Sequence, residues 1–180
     1  MARKKKDLHP IPVSAPTILF RNLSGIEGDY NAAGDRNFCI VLNKDTAEAM
    51  VNDGWNIRWL KPQEEGDSPT PYIQVKASFK NPRKMPHIVL VTSRGKTVLN
   101  EETINLLDWA DIEHVDLIIN PSEWEIGGKS GVKGYVKEMY VTVHESEFEK
   151  KYYDVPQTPV TAIGQVGGCG ECEECDGSCA

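Results

Sequence analysis

The 180-residue chain has no long apolar run: the longest unbroken stretch is five residues, Phe38 to Leu42. A bilayer-spanning helix needs about 20 such residues, and no secretory core follows the basic start, so a soluble, cytoplasmic protein is expected. Acidic residues are missing between Ser68 and Asn100, although the whole chain carries a net charge of −7. Catalytic groupings are missing too. His9, His87, His114 and His144 stand apart at neither triad nor metal-ligand spacing. Ser93-Arg-Gly-Lys-Thr97 ends like a phosphate-binding loop, but the position that requires a second glycine is Leu90. The chain therefore reads as a binding protein, not an enzyme.

Charge is segregated along the chain. Arg3, Lys4, Lys5 and Lys6 make a basic arm, and Glu171, Glu173, Glu174 and Asp176 make the opposite end acidic. The acid-free stretch carries six bases, Lys76, Lys80, Arg83, Lys84, Arg94 and Lys96. Segregation of this kind suits a site that follows a polyanion backbone, where each neutralised phosphate releases counterions.

Residues 1–16 hold the basic arm with Pro10, Pro12 and Pro16 and read as a leader. Residues 154–180 hold five glycines and little apolar bulk, and read as a flexible acidic tail. The folded body is then 17–153. Its clearest strand is Tyr72 to Phe79, where Ile73, Val75, Ala77 and Phe79 alternate with Tyr72, Gln74, Lys76 and Ser78. Trp55, Ile57 and Trp59 alternate likewise and point to the core. Further strands are expected over 17–23, 37–43, 87–92, 114–120, 123–126 and 132–143, the last two joined across Gly127 to Gly131. Two short helices are expected, from Asp45 to Gly54 and from Asn100 to Trp109, the latter burying Ile104 and Leu107. Many short strands with two small helices make the class mainly β. The reading is an OB-like five-stranded barrel with disordered termini, and a β-sandwich fits the same pattern.

Binding signals lie on the polar faces of the strands. Lys133, Tyr135 and Lys137 put a ring between two cations, Tyr72 and Lys76 repeat the pairing, and Arg58 sits opposite the Trp55 and Trp59 face. Bases of an unpaired strand stack on exposed rings, at roughly 1–3 kcal/mol each, while lysines follow the phosphates. With Arg94 and Lys96, these residues form the expected nucleic-acid site. Cys169, Cys172, Cys175 and Cys179 have C-x2-C-x2-C-x3-C spacing, and four thiolates at such intervals suit a zinc ion better than an iron–sulfur cluster. A reduced, metal-free thiol tail fits the same residues.

Several short segments, Phe20-Arg-Asn-Leu23, Tyr30-Asn-x-x-Gly-Asp-Arg-Asn-Phe38, Gly54-Trp-Asn-Ile-Arg58 and Val91-Thr-Ser-Arg-Gly-Lys96, resemble the single-stranded-DNA-binding proteins of tailed phages. Val115-Asp-Leu-Ile-Ile-Asn-Pro121 and Trp124-Glu-Ile-x-Gly-Lys-Ser-Gly-Val-Lys133 extend the likeness over residues 17–153. The resemblance implies an OB fold and cooperative or dimeric coating of unpaired DNA during phage replication or recombination, in the host cytoplasm. It also implies partner recruitment by an acidic C-terminus, although this chain ends in cysteines and Ala180 instead of acids and an aromatic. The readings that compete with it are a phage structural or assembly β-barrel module and a zinc-binding protein centred on the tail.

Overall fold

The computed structural model describes residues 8–29, 31–62, 66–147 and 151. The chain divides into two units, Met1–Glu145 and Ser146–Ala180, and every described strand belongs to the first. Nine strands are described: β1 Ile11–Ala15, β2 Ile18–Asn22, β3 Arg36–Val41, β4 Ile57–Leu60, β5 Thr70–Ala77, β6 His87–Thr92, β7 Gly95–Leu99, β8 Ile112–Ile126 and β9 Lys129–Val143. One α-helix, α1 Lys44–Asn52, follows β3. Short 3-10 turns cover Pro82–Lys84 and Ile104–Asp108. No described helix is long and apolar enough to cross a membrane.

The strands run in the order β1-β8-β9-β5-β3-β2, with β4 added to β5 and the β6–β7 hairpin added to β9. The arrangement is mainly β and OB-like. It differs from the expected five-stranded barrel in having more strands and in a path that does not close on itself. Part of the excess comes from the proline-bearing leader, whose Ile11–Ala15 segment is strand β1 against β8. Pro12 is tolerated there because β1 ends the strand path and has a partner strand on one side only. The other unexpected strand is β7, which is exposed almost throughout and so lacks an apolar signature.

Alternation in β5 places Ile73, Val75 and Ala77 inside, and Phe79 just beyond the strand is buried too, as expected. They meet Phe38 and Ile40 of β3, Ile88 of β6, and Met139 and Val141 of β9 in one core. Strand β9 serves both halves of that core because it contains a bulge. Ile118 pairs with Glu138 but Ile119 with Val136, so Lys137 is the extra residue, and both Val136 and Met139 point inward. Strict alternation therefore ends at Lys137, which leaves the regular face expected for Lys133, Tyr135 and Lys137.

Geometry requires glycine at two places, a turn and a close strand approach. Gly127 and Gly128 have φ of 59° and 79° and close the β8–β9 hairpin as a two-residue turn, tighter than the expected Gly127–Gly131 loop. At Gly134, a Cβ would lie 2.7 Å from Ile119 Cγ2, so only glycine lets β9 approach this closely.

Helix α1 starts where Asn43 accepts a hydrogen bond from the Thr46 amide at 2.7 Å. The second expected helix is a 3-10 turn instead. Ile104 and Leu107 are fully buried in it. Its end is captured from outside: Arg21 donates to the carbonyls of Leu107 (3.0 Å) and Ala110 (2.6 Å), and Asp108 accepts from the Leu23 and Ser24 amides. These contacts fix the path by which the chain leaves the turn.

Candidate nucleic-acid interface

Strand registers settle which polar side chains share the non-core face. On β5, Tyr72 lies beside Arg58 of β4 and Val41 of β3, while Lys76 lies beside Asn37 of β3 and Tyr135 of β9. On the far side of β9, Lys133 pairs with Ser122 and Gly131 with Trp124. Five of the expected residues, Arg58, Tyr72, Lys76, Lys133 and Tyr135, therefore fall on one continuous surface. Phe20 enters it from β2, its ring centroid 6.1 Å from that of Tyr72 and tilted 54° to it. Trp124 enters it from β8, with Lys133 Nζ 5.3 Å from its ring centroid.

Between the rings lies a chain of side-chain amides. Gln74 donates to Asn37 Oδ1 at 3.1 Å, and Asn37 donates to Asn31 Oδ1 at 2.6 Å. Cys39 sits beside Gln74 and Leu19 and is only 6% exposed. Burial pushes its thiol up to about 11, with the Arg58 charge opposing. At neutral pH it is a packing residue and not a nucleophile.

Not every cation here is unengaged. Lys76 Nζ is 3.0 Å from Asp35 Oδ2, and Lys80 Nζ is 3.8 Å from Oδ1. The Lys76 hydrogen bond and charge hold Asp35 below its ordinary 3.8, against some desolvation, with Lys80 and Lys133 adding to the effect. An acid that the sequence places far from Lys76 is thus seated among three lysines.

The surface continues into a groove of about 690 Å³ lined by Tyr135, Lys137, Arg83, Lys84, His87 and Met85, with Ser78, Asn81 and Glu138 also on its walls. Lys137 and Tyr135 were expected at the site. In the sequence, Arg83 and Lys84 are marked only as part of the acid-free stretch, because nothing in their immediate neighbourhood shows that the Pro82–Lys84 turn faces the groove.

Arg94 and Lys96 are placed elsewhere. Arg94 lies in the turn of the β6–β7 hairpin, and Lys96 reaches over Tyr140, its Nζ 5.5 Å from the ring centroid. A hydrogen bond to Glu138 raises the Tyr140 phenol above its ordinary 10 and keeps it protonated. These two cations extend the basic surface along β6 and β7 and do not line the groove.

The tryptophans divide. Trp55 is core at 4% exposure, as expected, but Trp59 is 44% exposed because β4 pairs only with β5. His114 is not isolated: its Nε2 is 3.1 Å from Asp116 Oδ1, the atom to which the Ser14 hydroxyl donates. The Ser14 hydroxyl donates its hydrogen bond to the carboxylate and not to the imidazole, so the trio lacks the relay order that activates a serine. Cys169, Cys172, Cys175 and Cys179 lie outside the described residues. Among the described residues no cluster of three metal-ligating side chains occurs.

The family model described as "Putative phage ssDNA-binding domain" matches residues 1–170, and the chain belongs to that family. Curated proteins gave no match. Among solved structures, the chain is similar to the C-terminally truncated single-stranded DNA-binding protein from bacteriophage Enc34, at 14% identity over 81% of this chain and 94% of that one, with a TM-score of 0.49. The Enc34 protein in complex with ssDNA matches at 11% identity over 81% and 95%, with a TM-score of 0.48. The gp2.5 single-stranded DNA binding protein encoded by bacteriophage T7 matches at 12% identity over 89% and 100%, with a TM-score of 0.34. The family match alone carries the assignment.

Proposed function

We propose that this chain binds single-stranded DNA without sequence preference and without catalysis, coating unpaired strands during phage replication or recombination. The observation that carries the reading is the single sheet surface on which rings and cations alternate: Tyr72, Lys76, Tyr135, Lys133 and Trp124, running into the groove with Lys137, Arg83 and Lys84. Cations at these positions neutralise phosphates, and the rings accept any base because every base has a stacking face. The Asn31–Asn37–Gln74 amides offer polar contacts between the rings. Arg94 and Lys96 flank the path on the β6–β7 hairpin.

Fluorescence anisotropy of labelled oligo-dT tests the proposal. A neutralised single-strand phosphate contributes about −0.7 to the slope of log K against log salt, so engagement of Arg58, Lys133, Lys137, Arg83 and Lys84 gives a slope of about −3.5. Duplex competitor of equal length should displace the oligonucleotide poorly. Binding that ignores salt, or no binding at all, would eliminate the reading.

A further inference from the structure

We infer that Phe20, paired with Tyr72, is a base-stacking position held open by its own strained backbone. The inference rests on the single-stranded-DNA reading and deepens it. Phe20 is the one described residue other than glycine with positive φ, at 48°. That region is sterically unfavourable for a bulky side chain. Its ring is nonetheless 63% exposed, so core packing does not hold it there. A glycine would satisfy the same backbone without strain, and what phenylalanine adds is a ring face in solvent.

The surroundings impose this conformation from both sides. Leu19 keeps its pairing with Cys39, and the register then shifts before Asn22 pairs with Asn37, which places Phe20 and Arg21 in a bulge. Arg21 is tied to the carbonyls of Ile18, Leu107 and Ala110. Asn22 exchanges two hydrogen bonds with Ile26, and Asp108 holds the amides of Leu23 and Ser24. Strained residues that persist because their neighbours over-determine them concentrate at ligand sites. Here the effect is to point a ring outward beside Tyr72, with Arg58 across the ladder from Tyr72 to meet a phosphate. At 54° to one another the two rings are separate platforms for two bases and do not sandwich one.

The test uses the full chain with Phe20→Gly, Phe20→Leu and Phe20→Trp. Phe20→Gly relieves the strain, so its unfolding midpoint should equal or exceed that of the wild type while oligo-dT affinity falls by about fivefold or more. Phe20→Leu keeps an apolar side chain but no ring face and should lose affinity to the same degree. Phe20→Trp should bind within about twofold of the wild type, by the same stacking scale. On an abasic strand of equal length, wild type and Phe20→Leu should bind equally. Leucine and glycine variants that match the wild type on oligo-dT would overturn the inference while the DNA-binding reading stands. So would an equal loss by Phe20→Leu on the abasic strand, which would mark a structural defect. A wild-type chain that fails to bind oligo-dT removes the underlying reading instead.

Discussion

On the proposed DNA path, Asp35 competes with phosphate for Lys76 and Lys80, so replacing it with asparagine should tighten DNA binding. Its two carboxylate oxygens lie 3.0 Å from Lys76 and 3.8 Å from Lys80, and Lys133 adds its charge. The Asp35 and Lys76 side chains are about one-third exposed, at 34% and 31%, which puts their pairing in the weak regime of about 0.2–1 kcal/mol. DNA must break that contact before Lys76 can meet a phosphate. Removing the competitor returns the same free energy, an affinity gain of about 1.4- to 5-fold. Removing the carboxylate neutralises no further phosphate, so the salt slopes of Asp35→Asn and wild type should agree within about 0.7, one phosphate, between about 50 and 200 mM. Oligo-dT anisotropy across that salt range reads both quantities. Glu102→Gln, an exposed change of equal charge, controls for long-range electrostatics, and adding Lys76→Gln to Asp35→Asn should abolish most of the gain. Weaker binding of Asp35→Asn at every salt concentration would refute the reasoning, because it would mean that the carboxylate holds the lysines in position for DNA.

Three further outcomes follow from the same geometry. Gly134→Ala should destabilise the fold by about 1–3 kcal/mol through overpacking against Ile119, and a double-mutant cycle with Ile119→Ala should show coupling above about 0.5 kcal/mol in urea unfolding. Because the Asp35 pKa is depressed in the folded state, its pairing stabilises above the ordinary value of 3.8 and is lost as pH falls through the folded value; the stability gap between wild type and Asp35→Asn should be full at neutral pH and vanish in acid denaturation series below that point. With its thiol pushed up to about 11 and 6% exposed, Cys39 should resist iodoacetamide at pH 8, so wild type and Cys39→Ser should show the same number of fast-reacting thiols when folded and differ by one in urea.

What the sequence reveals and what it hides follow from the range of each interaction. Alternation in β5 is a property of eight neighbouring residues, so its inward Ile73, Val75 and Ala77 and its outward Tyr72 and Lys76 are readable without any partner strand. The helix after β3 and the paired glycines of the β8–β9 turn are local for the same reason. Strand β1 is hidden because Pro12 argues locally against a strand, while pairing with β8, about a hundred residues away, decides the outcome. The bulge at Lys137 is hidden because the need for it arises where β9 must serve two parts of one core.

The interface divides along the same line. Its rings and cations are a matter of residue type and face, and five of the eight expected residues do share a surface. Its electrostatic balance is not local: Asp35 reaches Lys76 across 41 positions, and Arg83 and Lys84 reach the groove only because β6 runs parallel to β9. Phe20 is the sharpest case. Nothing in its neighbourhood marks a positive φ, because that angle is set by Asp108 and the Leu107 and Ala110 carbonyls, more than eighty residues further along. Strand sequence thus supplies the chemistry this surface can offer, while distant contacts decide how strongly each group is held back from a ligand or pushed toward one. Lys76 and Phe20 are opposite outcomes of that second step: a cation restrained by an acid, and a ring exposed by a clamp.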